Sequence, residues 1–276
     1  CRFGDEAAVA ASTHGAEAVR CVSPAGVATG WSSVELLSHG ETLRSGGSFF
    51  YHARMWVSAV APLLGPVEGG TRLSVLGAHF REAATLRCRF EESSATVVAR
   101  FVSSDQLECA TPVQSGAGSR RVEVSMNAQQ FSESGVAFTY VGAPSVSSVW
   151  PARGASEGGT PVTVYGSNLA SVDEALGYLQ CRFNGTVVRA QLLSNESLVC
   201  NSTEGAAGVV SVEVTTNGRD FSASGVLYEL VSVLVSDVSP WSGPELGGTL
   251  VTLAGGGFGD VELSCRFGAE AAVSAS

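Results

Sequence analysis

Apolar and polar residues alternate along many short stretches of the chain. In "VVSVEVTT", Val210, Val212 and Val214 lie on one side of an extended strand, and the polar residues between them lie on the other. This period of two predicts strands with one buried face. Gly, Pro and Asn-Gly turn signals separate these stretches, and Asn184-Gly185 predicts a two-residue type I′ hairpin turn. No long stretch places apolar residues three and four apart, so the pattern predicts few helices.

Four landmarks recur in a fixed order. A Gly-Gly-Thr triplet begins at Gly69, Gly158 and Gly247, a spacing of 89 residues both times, and a proline precedes each triplet. Cys-Arg-Phe, a second cysteine and a closing segment such as "FSASGV" follow in that order. The tripeptide begins at Cys1, Cys88, Cys181 and Cys265, and the second cysteines are Cys21, Cys109 and Cys200. Self-similarity at a fixed period predicts a tandem repeat architecture.

The phase of the landmarks divides the chain into four parts. Residues 54–142 and 143–231 each hold a complete set, residues 1–53 match the C-terminal part of a repeat, and residues 232–276 match an N-terminal part. Short strands in units of about 90 residues predict antiparallel β-sandwiches of immunoglobulin size. Neither partial repeat can bury a complete core alone, so we expect further chain or a neighbouring copy to complete each one.

The landmarks resemble those of the IPT/TIG family, the immunoglobulin-like domains of plexins, hepatocyte-growth-factor-receptor-type ectodomains and fibrocystin-like proteins. The matching pieces are Pro-x-x-Gly before Gly-Gly-Thr, a strand ending in Gly-x-x-Phe or Gly-x-x-Leu, "CRF", Cys-x-x-Pro and "FS-x-S-G-V". The resemblance covers the whole chain and implies an all-β fold of tandem, early-set immunoglobulin-like sandwiches. Thr203 stands where Pro24 and Pro112 stand in the other repeats, which leaves the shape of one turn open.

The same resemblance implies that the two cysteines of each repeat form a disulfide. The implied pairs are Cys1–Cys21, Cys88–Cys109 and Cys181–Cys200, and Cys265 is expected to pair outside residues 1–276. Zinc binding is the competing interpretation, but the sequence has no Cys-x-x-Cys and no histidine at ligand spacing from a cysteine pair. Closing a loop of ~20 residues stabilises a fold by about 3 kcal/mol in the chain-entropy model. Repeated disulfides predict an oxidising, extracellular setting.

Three N-glycosylation sequons lie close together in repeat 143–231, at Asn184, Asn195 and Asn201. They agree with an extracellular setting and predict N-linked glycans as partners. For Asn184 the alternative is that the residue serves only to form the turn. Glycans at these positions would shield one patch of the repeat from other proteins.

The charge balance excludes several classes of function. All 16 basic residues are Arg, and the net charge of −10 repels phosphate backbones and anionic membranes. The absence of Lys also excludes lysine nucleophiles and Schiff bases. No apolar run reaches the ~18–20 residues of a membrane-spanning helix. We therefore expect no nucleic-acid partner and no membrane span within the chain.

The sequence contains no recognisable catalytic or cofactor motif. None of the four histidines, His14, His39, His52 and His79, recurs at the repeat phase. The Gly-rich segment "LAGGGFGD" lacks the Lys and the following Ser or Thr of a phosphate-binding loop. The sequence therefore predicts a protein that is not an enzyme and that has no metal site and no cofactor.

Trp56, Trp150 and Trp241 each lie within six residues of a proline that opens a repeat, close to the junction of consecutive repeats. One hypothesis is that each ring packs between two sandwiches and stiffens the array. The alternative is ordinary packing within one repeat. The joins are short, which by itself limits bending.

Two classes of function follow. The first is structural: a secreted, extracellular or cell-surface protein whose repeats form a rod or filament, with copies of itself or neighbouring repeats as partners. The second is a receptor or adhesion ectodomain that binds a protein ligand, which predicts an exposed apolar or aromatic patch on one repeat that its siblings lack. DNA binding and association with starch-acting enzymes occur in the family, but the acidic charge, the paired cysteines and the lack of a catalytic domain disfavour them.

Overall fold

The computed structural model describes residues 1–15, 17–25, 28–91, 96–170, 177–259 and 263–274. Every regular element in these ranges is a β-strand, which confirms the all-β prediction. Residues 1–53 contain five strands: β1 (Arg2–Phe3), β2 (Ala11–His14), β3 (Ala18–Cys21), β4 (Gly30–Ser38) and β5 (Glu41–Tyr51). Two complete sandwiches follow in tandem.

The first complete repeat joins its two sheets through one long strand. Its strands are β6 (Trp56–Ala61), β7 (Leu64–Pro66), β8 (Arg72–Ala78), β9 (Arg87–Phe90), β10 (Thr96–Ser103), β11 (Gln106–Ala110), β12 (Gly118–Ser125) and β13 (Ala137–Val141). Strand β10 pairs with β11 in one sheet and with β9 in the other, so the strand order is β6-β8-β11-β10-β9-β12-β13-β7. The described pairings are antiparallel except that of β7 with β13.

The second complete repeat has the same plan with one interruption. Its strands are β14 (Ser145–Trp150), β15 (Arg153–Ala155), β16 (Pro161–Ser167), β17 (Gln180–Phe183), β18 (Thr186–Arg189), β19 (Gln191–Ser194), β20 (Ser197–Asn201), β21 (Gly208–Thr215) and β22 (Leu227–Val231). Strands β18 and β19 replace a single β10-like strand and separate at Ala190, which leaves two sheets. The β17–β18 turn has positive φ at both Asn184 and Gly185, as the predicted type I′ turn requires.

Disulfides connect the two sheets of each complete repeat. Cys88 on β9 bonds to Cys109 on β11, and Cys181 on β17 bonds to Cys200 on β20, all four within the apolar cores. A third bridge joins Cys1 to Cys21. The three bridges join the cysteine pairs that the resemblance implies. Cys265 has no disulfide partner among the described residues, and its pairing outside the chain stays a prediction.

The Cys-Arg-Phe motif serves three different contacts. The cysteine forms the bridge, and the phenylalanine enters the core, where Phe90 contacts Phe138 and Tyr140 edge-on. The arginine lies on the outer face: Arg89 pairs with Glu123, which is directly opposite on β12. Its guanidinium carbon also lies 4.1 Å from the centre of the Phe131 ring, a cation–π contact.

The second repeat reproduces the outer contact with Arg182, Glu213 and Phe221. In residues 1–53 the arginine–glutamate pair recurs as Arg2 and Glu35. The outward-facing glutamate of "VEV" is therefore part of the same unit as the "CRF" arginine.

The serines of "FS-x-S" hold two strands in place. In the first repeat the backbone N–H of Val124 donates to Ser132 Oγ at 3.1 Å, and that of Val57 donates to Ser134 Oγ at 2.8 Å. The second repeat repeats both contacts through Ser222 and Ser224. The motif recurs because it connects the closing segment to the first strand of its own repeat.

The Gly-Gly-Thr triplet forms a corner that packs against the turn after the second cysteine. Gly69 and Gly70 have φ of 73° and 84°, and a Cβ on Gly69 would lie 2.7 Å from the carbonyl oxygen of Thr111. Gly70 N–H donates to that same oxygen at 2.8 Å. The second repeat makes the same bond, from Gly159 N–H to Ser202 O, so Thr203 in place of proline leaves this contact intact.

The partial repeat at residues 232–274 keeps the local motifs but leaves apolar residues uncovered. Residues 232–274 form β23 (Leu234–Ser239), β24 (Thr252–Gly256), β25 (Ser264–Cys265) and β26 (Val273–Ser274). Val235 on β23 is 47% exposed, whereas Val57 at the same position of the first complete repeat is fully buried. Phe267 is 55% exposed, whereas its equivalent Phe90 is fully buried.

The glycine corner yields a stability prediction. Replacing Gly158 with alanine places a Cβ 2.5 Å from the backbone nitrogen of Glu204 at a φ of 76°. Gly159→Ala is the matched control, because its φ is 81° but its Cβ meets no atom within 4 Å. We expect about 1–2 kcal/mol of destabilisation from positive φ in both variants, and a further ~1–3 kcal/mol from the clash in Gly158→Ala alone.

Hydrogen exchange of the amides of residues 197–205, in the intact chain, measures this difference. Equal protection in the two variants would show that the close approach at Gly158 contributes nothing to stability.

Candidate functional site

The joint, defined here as the contact between the two complete repeats, is built on a short connection. Strand β13 ends at Val141 and β14 begins at Ser145, so only three residues separate the sandwiches. Asn168 Nδ2 donates to the carbonyl of Ala143 within this connection at 3.0 Å. His79 contacts the carbonyl of Arg54 in the same way at the preceding junction. A side chain of each repeat therefore fixes the segment by which the chain enters it.

The Asn217 loop, residues 216–220, lies at the end of the second repeat that faces the first. Asn217 Oδ1 accepts the backbone N–H groups of Arg219 and Asp220, both at 2.9 Å, and the hydroxyl of Thr215 at 3.1 Å. Thr215 is fully buried. The asparagine thus shapes its own loop.

Two hydrogen bonds join this loop to the first repeat, and a third connects their two partners within the loop. Asn217 Nδ2 donates to Leu64 O of the first repeat at 3.0 Å and to Asp220 Oδ2 at 2.7 Å. Thr71 Oγ1, from the first repeat, donates to the same Asp220 oxygen at 2.6 Å. Asn217 is only 2% exposed, and Thr71 is fully buried. A carboxylate acceptor strengthens such bonds, so the contact resists separation of the two repeats.

The corresponding loop of the first repeat has the same internal hydrogen bonds, and among the described residues Asn127 has no hydrogen bond to another repeat. Asn127 Oδ1 accepts the backbone N–H groups of Gln129 and Gln130, and its Nδ2 donates to Gln130 Oε1 at 2.6 Å. Gln130 therefore occupies the position of Asp220. Because this loop is formed in the absence of a docked repeat, the Asn217 loop needs little ordering on docking.

A cleft of about 420 Å³ opens beside these hydrogen bonds. The first repeat contributes Ala61 and Pro62 to its walls, and the second contributes Tyr178, Arg189 and the Asn217 loop. The side chains of its charged members, Arg189 and Arg219, take no part in the hydrogen-bonded contact.

The pKa of one carboxyl group of the first repeat, Glu108, depends in part on a charge of the second repeat. A hydrogen bond from Arg100 holds the pKa of Glu108 below its usual value, against the opposing effect of burial. The charges of Arg72 and of Arg219, across the joint, act in the same direction as Arg100.

The three tryptophans take no part in the described hydrogen bonds of the joint. Trp56, Trp150 and Trp241 are 56%, 65% and 90% exposed, respectively. They occupy different positions: Trp56 begins β6, Trp150 ends β14, and Trp241 follows Pro240. Packing of these rings between repeats stays a prediction.

The three sequon asparagines are all exposed. Asn184 is in the β17–β18 turn, Asn195 lies between β19 and β20, and Asn201 ends β20. Their side chains are accessible to a glycosylating enzyme, and occupancy by glycan stays a prediction.

No cluster of three or more His, Cys, Asp and Glu side chains that could hold a metal ion occurs within the described ranges. In the same ranges no helix has the length and apolarity to cross a membrane.

The geometry defines a class: tandem immunoglobulin-like β-sandwiches that are each stapled by an inter-sheet disulfide. A model of the IPT/TIG domain matches residues 56–140 and 144–230. The chain therefore belongs to the IPT/TIG family.

Individual relatives are consistent with this assignment. Mouse fibrocystin-L is 26% identical over 202 residues, which are 73% of this chain and 4% of that protein. Human plexin-B1 is 39% identical over 118 residues, which are 41% of this chain and 5% of that protein. The solved full extracellular region of plexin A4 aligns with 83% of this chain and 22% of its own length, at 15% identity and a TM-score of 0.49. The matched part of the chain thus spans about a twentieth of the length of these two curated relatives.

In these relatives the matched modules are non-catalytic immunoglobulin-like domains. The disulfides agree with an oxidising, extracellular setting.

Sequence reasoning found the disulfides but missed the residues that make the joint. Asn217, Asp220 and Thr71 were visible only as a turn signal and as the last residue of Gly-Gly-Thr. One signal was available: an asparagine recurs 90 residues apart, at Asn127 and Asn217, with a polar residue three positions later each time.

Thr71→Val tests the joint, and Thr160→Val is its matched control. Both threonines end a Gly-Gly-Thr triplet, but only Thr71 donates across a joint in the described structure. Loss of a hydrogen bond to a charged acceptor costs about 1.5–3 kcal/mol. We therefore expect hydrogen exchange of the Asn217 side-chain amide, followed by NMR, to accelerate ~10- to 100-fold in Thr71→Val. Unchanged exchange in Thr71→Val, or equal acceleration in Thr160→Val, would contradict the assigned role.

Proposed function

We propose that this chain is a structural segment of a secreted, extracellular or cell-surface protein, in which tandem IPT/TIG repeats form a rod. The observation that carries the proposal is the buried hydrogen-bonded contact of Thr71, Asp220, Asn217 and Leu64 across the joint. A flexible string of beads needs no such contact.

Two restraints of different kind act on the joint. The three-residue connection limits the distance between the sandwiches, and the Asn217 loop limits their rotation. Interfaces between domains of one chain commonly permit relative motion unless they are large and apolar. Here a polar, directional contact supplies the restraint, because the hydrogen bonds to the partly buried Asp220 carboxylate weaken when their angles change.

Further repeats are the proposed partners. Thr160 of the second repeat is only partly buried, and Asn127 of the first repeat lies in a partly exposed loop. Thr160 is equivalent to Thr71, and Asn127 is equivalent to Asn217. Each can therefore make the same kind of contact with a further repeat, one on either side of the two complete repeats. The uncovered apolar residues Val235 and Phe267 likewise fit strands of another repeat, from continuing chain or from a second copy. N-linked glycans at the three sequons and the absence of catalysis complete the proposal.

A second candidate, a receptor or adhesion ectodomain, is supported by a different observation. The cleft at the joint contains two arginines whose equivalents in the first repeat are not basic. Variation of that kind between otherwise matching repeats is typical of a binding site rather than of a framework.

Electron microscopy of the native material tests the rod. We expect elongated particles of uniform curvature whose axial period corresponds to one sandwich. Side-by-side or end-to-end filaments would add self-association to the rod. Particles with a broad distribution of angles at every junction would refute the rod and favour the receptor.

Small-angle scattering of the 276-residue chain gives a second test in solution. We expect Thr71→Val to broaden the distribution of overall dimensions and Thr160→Val to leave it unchanged. A wild-type distribution as broad as that of Thr71→Val would contradict a stiff joint even if the protein folds normally.

A further inference from the structure

The joint cleft, lined by Ala61 and Pro62 of the first repeat and by Tyr178, Arg189 and Arg219 of the second, is a distinct concave site. Its volume of about 420 Å³ lies in the range of small-molecule pockets. Two glycines shape its wall: a Cβ on Gly177 would lie 3.4 Å from the Arg189 guanidinium, and one on Gly218 would lie 3.3 Å from the Tyr178 ring. A Cβ would fit in ordinary contact at Gly177 and would be tight at Gly218, so both backbones lie close to the side chains that line the cleft.

Arg189 and Arg219 lack the ion pairs that seven other arginines form in the described structure. Seven arginines form ion pairs in the described structure, namely Arg2, Arg54, Arg89, Arg100, Arg121, Arg153 and Arg182. Across the same described residues, neither Arg189 nor Arg219 has a side-chain hydrogen bond or a carboxylate within ion-pair distance. The cleft therefore holds two guanidinium groups without a directly paired carboxylate, although the net charge of the chain is −10. Arg219 interacts with Glu108 across the joint only through its charge, beyond ion-pair distance.

The fold does not require either arginine. Strand pairing places Arg189 opposite Gln180, and in the first repeat Val98 occupies the equivalent place opposite Arg87. In the loop, Arg219 follows Asn217 by two residues, as Gln129 follows Asn127. The sandwich and the loop therefore form without basic residues at these positions, which separates the arginine pair from the structural framework.

No described carboxyl group lines the cleft, and the two that lie beside it, Asp220 and Glu108, already have partners. Asp220 Oδ2 already accepts two hydrogen bonds, from Thr71 and Asn217. Glu108 across the joint is already held by Arg100. The Tyr178 hydroxyl has no hydrogen-bond partner among the described residues. The groups left to meet a ligand are thus mainly donors, and two of them carry a positive charge.

We propose that the joint cleft binds a saccharide that carries a single oxyanion, a carboxylate or a sulfate ester. Guanidinium groups match such oxyanions with paired hydrogen bonds. The net charge of the chain disfavours a polyanion, because each further negative group is repelled by the surrounding surface. The apolar part of the wall is limited to Ala61, Pro62 and the Tyr178 ring, which offers a flat surface for a sugar and no deep pocket for a peptide side chain. The proposal rests on the joint and not on rod formation.

NMR titration of the intact chain tests the site with four probes: a monosulfated disaccharide, a uronic-acid disaccharide, the neutral parent disaccharide and sodium sulfate. We expect at least one acidic disaccharide to shift the amide signals of Gly177, Gly218 and Arg219 and to bind at least tenfold tighter than the neutral sugar and than sulfate. The acidic disaccharide that binds identifies the oxyanion.

Arg189→Gln and Arg219→Gln provide the variants, and Arg72→Gln is the matched control. Arg72 is exposed, has no ion pair in the described structure, lies outside the cleft and changes the net charge by the same amount. We expect each cleft variant to weaken binding at least fivefold and Arg72→Gln to change it by less than twofold.

Other results would overturn the proposal. Equal binding of sulfate alone would mean an adventitious ion only, and equal binding of the neutral sugar would exclude a role for the arginines. Tighter binding of an acetylated glutamate dipeptide would replace the saccharide with a peptide. If the spectrum shows that both repeats are folded and no probe shifts any signal, the cleft does not bind such a saccharide and the proposal is wrong.

Discussion

Each repeat depends on the burial of one apolar face from each of two sheets, with a disulfide at their centre. A sandwich of this size has a small core, so the bridge from Cys88 to Cys109, or from Cys181 to Cys200, contributes a large share of the stability. The recurring motifs surround that centre. The cysteine, arginine and phenylalanine of "CRF" connect the core to the outer face, and the glycine corner closes one end.

The contact between the complete repeats lies at the ends of the sandwiches, because the interior of each is occupied by its own core residues. The Asn217 loop shows how an end is organised. One asparagine satisfies its own loop with its oxygen and reaches the neighbouring repeat with its nitrogen. A side chain that is ordered locally before docking loses little entropy on docking, which makes a small polar contact effective.

Comparison of the repeats distinguishes residues that recur in each repeat from residues that are present in one repeat alone. The arginine–glutamate pair of the outer face occurs three times, and the asparagine loop occurs twice. Arg189 and Arg219 occur once, where the first repeat has Val98 and Gln129. A periodic scaffold can tolerate such single differences, because a surface residue changes the chemistry of one joint without changing the core of either sandwich.

The sequence by itself determined the repeat, the strand class, the disulfide pairs and the Asn184-Gly185 turn, because these follow from local periodicity, fixed spacing and backbone conformations that few residues adopt. Thr71 and Asp220 are 149 residues apart, and Arg189 and Arg219 are separated by strands β19 to β21. No local pattern reports which ends of two sandwiches will meet. Only the tertiary structure, through the short connection and the loop that docks beside it, brought these residues to one joint.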